Sequence, residues 1–205
     1  MPLFLFWSAC GFLLGITVAS FFEWTLHRFF MHKPTFGFRY PFERHALVHH
    51  HIFKADHTYH AVDLKDAKKI PMAWWNGPIL VALCLSPLLI ASIIFRKWGL
   101  VAGGGLACAL YFAAYEYLHW CMHLPKRRHV ERSGIFFRLN GHHLLHHRYM
   151  HKNFNVVCPL ADLLLGTLLL RAKVHFHQAE GPSVPNVQPK GSKLRKLDVP
   201  TQLAA

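Results

Sequence analysis

The sequence predicts an all-α integral membrane protein, a helical bundle of three to four membrane helices carrying a cytoplasmic histidine-rich helical cap. Three observations carry that prediction. Of the 205 residues 53% are hydrophobic and 16% charged, too apolar for an ordinary soluble domain. The apolar residues gather in long uncharged runs. Finally, the chain holds 18 histidines but only ten acidic residues against 23 basic ones. A soluble single-domain enzyme is excluded, and a metal site built on carboxylates would lack ligands.

The first run, Pro2 to Phe22, has no charged residue, and its 21 residues at roughly 1.5 Å each span about 32 Å, enough for a hydrocarbon core. No basic residue precedes Arg28, so the run reads as a retained anchor, residues 1–22, and not as a cleaved signal peptide. The second run, Pro71 to Phe95, opens on Trp74 and Trp75 and carries Pro78 and Pro87, which a membrane helix tolerates as kinks. The third, Gly99 to Tyr115, contains Gly103-Gly104-Gly105, small enough for close helix approach. Together they make a helical hairpin over 71–117. A fourth apolar stretch, Phe154 to Leu170, is broken by Pro159 and Asp162 and reads as interfacial.

Basic residues set the orientation. There are none before the first run, eight from Arg28 to Lys69, two at Arg96-Lys97 and thirteen from Lys126 onward. The positive-inside rule then places the 28–69 loop and everything after Tyr117 in the cytoplasm, with all 18 histidines on that side. The net charge of +13 suits anionic lipid headgroups as well as nucleic acid, and the apolar runs favour lipid. The five cysteines form no CxxC pair, which indicates neither a disulfide framework nor a thiolate zinc site. Residues 173–205, rich in Pro, Lys, Gln and Ser, read as a flexible basic tail.

The histidines are clustered. His27-x4-His32 stands at the mouth of the first run, and His45-x3-His49-His50-His51 follows, with His57 and His60 behind it. His119-x3-His123 closes the third run, and His142-His143-x2-His146-His147 forms the last cluster. On an α-helix, residues three or four apart share a face, so His45/His49, His119/His123 and His143/His146/His147 should each point one way. A single histidine at a membrane edge is more often an interfacial residue than a ligand. Four clusters on one face of the membrane instead indicate a shared metal site, and imidazole suits iron, zinc and copper. Ten ligands result: His27, His32, His45, His49, His50, His119, His123, His143, His146 and His147. They are enough for two metals. His51, His57, His60 and His142 stand as residues supporting the ligands, whereas His129, His151, His175 and His177 lack paired spacing. Ligating imidazoles usually donate their other N–H to a carboxylate or carbonyl. Glu23, four before His27, and Glu116, three before His119, are placed for that role.

These boxes, in order and spacing, resemble those of the fatty acid hydroxylase and sterol desaturase superfamily of membrane di-iron oxygenases. Tyr115-Glu-Tyr-Leu-His119 and the ending from Asn153-Phe-Asn155 through Asp162-x3-Gly166-Thr167 add to the likeness, which covers about Glu23 to Thr167 and frames a hydroxylase-like domain at 23–172. Two departures are the additional His51 and His142. The resemblance implies two iron ions, with zinc able to occupy the same nitrogens in a preparation, and dioxygen as co-substrate. It also implies supporting roles for Asn155 and Asp162, a lipid substrate entering from the membrane, and a separate electron donor of cytochrome b5 or ferredoxin type with its reductase. The implied reaction is hydroxylation of a fatty acyl chain at the cytoplasmic face, in a bacterial inner membrane before an endoplasmic reticulum. Phe29, Phe30 and Met31 in the first box and Trp120 and Met122 in the third are then expected to guide the acyl chain.

Rival readings are a carotenoid ring hydroxylase and a sterol or lipid desaturase within the same chemistry, and a histidine-rich metal-binding or transport protein outside it. A transporter would place ligands and acidic residues at mid-membrane, and the first three apolar runs contain neither charge nor histidine.

Overall fold

The computed structural model describes residues 1–171, so the predicted tail at 173–205 lies outside the described residues. Among the described residues the architecture is all-helical, and three helices are long and apolar enough to cross a membrane: Pro2–Met31, Asn76–Phe95 and Trp98–His123. The chain is accordingly an integral membrane protein.

Helix α1 spans Pro2–Leu26 and runs without a break into a π-helical segment, His27–Met31. The loop region that follows holds α2 (Tyr40–Phe42), a second π-helical segment (Glu43–His49), α3 (His50–Ile52) and α4 (Leu64–Ala67). Helices α5 (Asn76–Phe95) and α6 (Trp98–His123) form the hairpin, joined at Arg96, whose left-handed backbone (φ 51°) turns the chain in two residues. Beyond it stand α7 (Gly134–Arg148), capped by the Ser133 hydroxyl accepting from the Phe136 amide at 3.1 Å, and the five-residue α8 (Leu160–Leu164).

Two differences from the sequence expectation concern lengths. The first and third helices run beyond the uncharged cores, to Met31 and His123, because the charged and histidine residues at their ends are held by protein and need no lipid. The fourth apolar stretch forms only α8 and a closing loop, with Phe154, Val156 and Ala161 buried and Leu163 and Leu164 exposed. A five-residue helix cannot span a bilayer.

In lipid, apolar side chains gain nothing by meeting each other in place of acyl tails, so helix pairing depends on close backbone approach. The α1–α6 contact supplies it through Gly11 and Gly15 on one helix and Gly99, Gly103 and Gly104 on the other. A Cβ at Gly103 would drive into the Ser8 carbonyl and one at Gly11 into the Leu100 backbone. This contact is what brings the ends of α1 and α6, and therefore His27 and His119, to one level. The core beneath the histidines is sealed by Ala19, Cys84, Cys108 and Tyr111, and beside them by Tyr115, Cys121, Met122 and Phe136.

Candidate metal centre

The ten histidines singled out by spacing converge at the ends of α1, α6 and α7 in two groups of five. His27, His32, His45, His50 and His146 make one; His49, His119, His123, His143 and His147 make the other. Within each, one ring nitrogen per residue lies within 4.8 Å of all the others. Nine of the ten are buried, with His32 half-buried.

Local helix geometry explains the partition. On a π-helix, hydrogen bonds run from residue i to i+5, and residues five apart come to share a face. His27 opens the first π-helical segment and His32 follows it, while His45 lies within the second and His50 follows it, so both pairs fall in the first group. Helix α6 keeps α-helical spacing, and His119 and His123 stay together in the second group. The same holds for His143 and His147 on α7, while His146, on a different face, serves the first. His45 and His49 do point one way, their rings stacked 5.2 Å apart, yet each set is divided between the two groups, which the α-helical spacing did not indicate. His49 stays stacked on His45, and His146 stands 5.9 Å from both His143 and His147, so neighbouring rings serve different groups because the two groups lie side by side.

The convergent atoms are the Nε2 nitrogens. His45 Nε2 lies 2.8 Å from that of His27 and 3.0 Å from that of His50, and His146 Nε2 lies 3.1 Å from that of His32 and 3.2 Å from that of His50. In the other group His143 Nε2 is 3.1 Å from that of His123 and 3.0 Å from that of His147, with His49 and His119 at 3.2 Å. Four rings have their far nitrogen fixed by a backbone carbonyl, which can only accept. His123 donates through Nδ1 to Tyr59 O at 2.7 Å and His146 to Lys152 O at 2.8 Å, while His27 donates to Phe154 O and His147 to Phe53 O. A neutral imidazole has one N–H, so these four bring lone pairs to the centre. Burial first, then the neighbouring imidazoles, depress the pKa of His45, His49, His50, His143 and His147 well below the usual value, and His32 to about 3. Burial likewise takes His146 to about 4. Neutral, inward-facing lone pairs with no carboxylate among them fit a divalent transition-metal ion in each group.

The supporting residues sort differently from expectation. Glu23 does not reach an imidazole: its carboxylate accepts from Tyr111 Oη at 2.7 Å, Val156 N at 2.7 Å and Asn155 Nδ2 at 3.0 Å. Glu116 accepts from the Met72 amide at 3.1 Å instead of serving His119. Both face the gap between helices, where unpaired amide donors need an acceptor. His51, His57 and His60 are exposed. His142 pairs with Asp162 at 3.2 Å, and that carboxylate also binds Thr167 Oγ1 at 2.6 Å and the amides of Phe154 and Asn155 at 2.9 and 2.8 Å. Burial would raise the Asp162 pKa, yet these hydrogen bonds outweigh it and hold the carboxyl below its ordinary value. Asn155 bonds Ser20 O at 2.8 Å, locking the closing loop to α1. Carbonyl partners were expected in kind, but which four orient the rings was not foreseen, since a carbonyl leaves no mark in sequence.

An apolar cavity of about 340 Å3 opens beside the two groups and touches both, through His45 on one side and His49 and His119 on the other. Of the five apolar residues expected to guide an acyl chain, Phe30 and Met31 line it. Trp120 and Met122 do not: Trp120 lies under the Arg128 guanidinium at 4.4 Å and Met122 packs with Tyr115 and Phe136, because both face α7 and the 124–132 turn. Phe29 stacks edge-on with Trp24 at 5.8 Å outside the cavity.

Among curated proteins the chain is 30% identical over 158 residues to a dihydroceramide fatty acyl 2-hydroxylase from Arabidopsis thaliana, covering 76% of this chain and 59% of that protein. It is 26% identical to fatty acid 2-hydroxylases of Rattus norvegicus and Mus musculus, over 163 and 162 residues, covering 76% and 77% of this chain and 40% and 39% of theirs. The chain thus spans between two fifths and three fifths of the length of these relatives. No protein-family model matches it, and no solved structure does.

Proposed function

The chain is a relative of the fatty acid 2-hydroxylases, members of the fatty acid hydroxylase superfamily, and from that premise we propose that it hydroxylates a fatty acyl chain of a membrane lipid. The observation that carries the reading is the cavity: an apolar space at the depth of the membrane helices that meets both five-histidine groups. The ten imidazoles would hold two iron ions, one in each group, and zinc could take their place in a preparation because imidazole accepts both. Bound iron supplies the redox chemistry that activates dioxygen toward an unactivated C–H bond, for which side-chain acids, bases and nucleophiles have no purchase.

The protein's own residues bind, orient and exclude water. Backbone carbonyls of Phe53, Tyr59, Lys152 and Phe154 hold four rings with Nε2 inward. Phe22, Leu26, Met31 and Leu80 shape a slot for methylenes. The histidines stand where the membrane helices end, which is the depth of an acyl chain's first carbons. A site at that level favours carbon 2, the position in the relatives' names. In the net reaction the C–H bond at that carbon becomes C–OH with one oxygen atom from dioxygen. The other leaves as water, consuming two electrons and two protons, and the electrons come from a separate carrier of cytochrome b5 or ferredoxin type.

The loop 28–69 and the segment after Tyr117 are cytoplasmic in this reading, in a bacterial inner membrane, and reporter fusions at Lys69 and Ala205 should share a label that one at Arg96 lacks. The test of activity uses labelled dioxygen, iron-loaded protein and a reductase system. One labelled oxygen in a 2-hydroxyacyl lipid supports the reading. An unlabelled unsaturated product would make the protein a desaturase, and label in a carotenoid would make it a ring hydroxylase.

A further inference from the structure

The cavity has two chemically different ends. Toward the bilayer it is walled by Ile79, Leu80 and Leu83 on α5, and Leu83 stands seven residues beyond Asn76, about 10 Å deeper along the helix. Toward the interface it is lined by Arg44 and Lys69, beside Tyr40 and Trp75, whose rings are 5.2 Å apart. No aspartate or glutamate lines the cavity. Arg44 has no hydrogen-bond or ion-pair partner among the described residues, and Lys69 contacts only Asp66, at 3.3 Å, in an exposed pair of the kind that contributes little. Two cations at one end of a largely apolar space, Arg44 without an anionic partner and Lys69 held only by the exposed Asp66, are complementary to an amphiphile with an anionic head.

Resting on the proposed acyl hydroxylation, we propose that Arg44 and Lys69 select lipids whose polar end is an anionic oxyacid, a carboxylate or a phosphate, over neutral amides such as ceramide. The cations anchor the head and thereby set how far the chain descends past His45, His49 and His119. A guanidinium offers paired donors to an oxyanion and the ammonium adds a point charge.

The test is binding, and needs no turnover. Metal-loaded protein in uncharged detergent is titrated with labelled palmitate, dipalmitoyl phosphatidic acid, palmitamide and ceramide. Palmitate or phosphatidic acid should bind roughly tenfold more tightly than the neutral pair, the difference expected of a charge-assisted hydrogen bond, and whichever leads identifies the head. Arg44→Gln and the double variant with Lys69→Gln should remove that preference while leaving palmitamide binding and metal content unchanged. Arg138→Gln, an exposed position on α7 away from the cavity, should change nothing. Equal binding of palmitate and palmitamide, persistence of the preference in the double variant, or an equal loss in Arg138→Gln would each overturn the inference while leaving acyl hydroxylation standing. Failure of all four lipids to bind would overturn both.

Discussion

The two groups each gather five histidines, but hold them in different ways. Four members of the second group stand on regular α-helix, His119 and His123 on α6 and His143 and His147 on α7 at four-residue spacing, with only His49 drawn from a π-helical segment, and all five are buried. The first depends on two π-helical segments and includes the half-buried His32. Their braces differ too. Carbonyls of Phe53 and Tyr59, in the loop after α3, orient the second group, whereas carbonyls of Lys152 and Phe154, in the closing loop after α7, orient the first. The contrast implies that one centre is rigid and enclosed and the other is held by separable, more accessible parts.

The largest effect should come from the ligands. His143→Ala and His146→Ala are each expected to lower hydroxylated product by about a hundredfold or more, since even residues that merely orient ligands cost 10- to 100-fold. Metal analysis should show about one ion lost in each, His143→Ala emptying the second group and His146→Ala the first. Loss of both ions in both variants would dissolve the distinction between the groups.

Next in size is Asp162→Asn. It weakens the hydrogen bonds that position the Phe154 amide, next to the carbonyl holding His27, and should weaken metal binding in the first group by roughly 10-fold or more. The cost in stability should be about 2 kcal/mol, read by thermal or denaturant unfolding. Competitive chelator titration should find the second group unaltered.

A smaller effect concerns rates. On mixing with a chelator, release should be biphasic, with the faster ion coming from the first group, where His32 is partly exposed. His32→Ala should accelerate the fast phase alone. A single phase in the wild-type protein would indicate equal access to both centres.

The smallest is Tyr59→Phe. It removes the hydroxyl's hydrogen bond to Asn140 Oδ1 (2.8 Å) but leaves the Tyr59 carbonyl on His123, so about 1 kcal/mol of stability should go with no change in metal content. A lost ion would mean that the side chain, and not the backbone, fixes that ring.

Much of this was legible in the sequence. Uncharged runs of membrane length gave the three helices, and histidine spacing picked out the ten imidazoles that converge. The partition was not legible under an α-helical period, although the i, i+5 spacing of His27/His32 and of His45/His50 held the signal in plain view. Glu23 and Glu116 were misread because spacing along a helix says which residues are neighbours on one face, and not which amide across the gap will claim a carboxylate: Val156 in one case, Met72 in the other. His50 and His51 are adjacent and alike in type, and only three-dimensional packing separates the buried one from the exposed one.

The π-helical turn between His27 and His32 bears on how the protein can change over generations. Such a turn differs from an α-helical one by a single inserted residue, so the number of residues in the box is fixed more tightly than their identity. Phe29 and Phe30 can be exchanged for other apolar residues one at a time. Deleting either one shortens the turn, rewinds the helix and swings His32 away from its four companions. Descendants of this chain should therefore drift freely in the letters of that segment while keeping its length, a pattern of substitution without gaps.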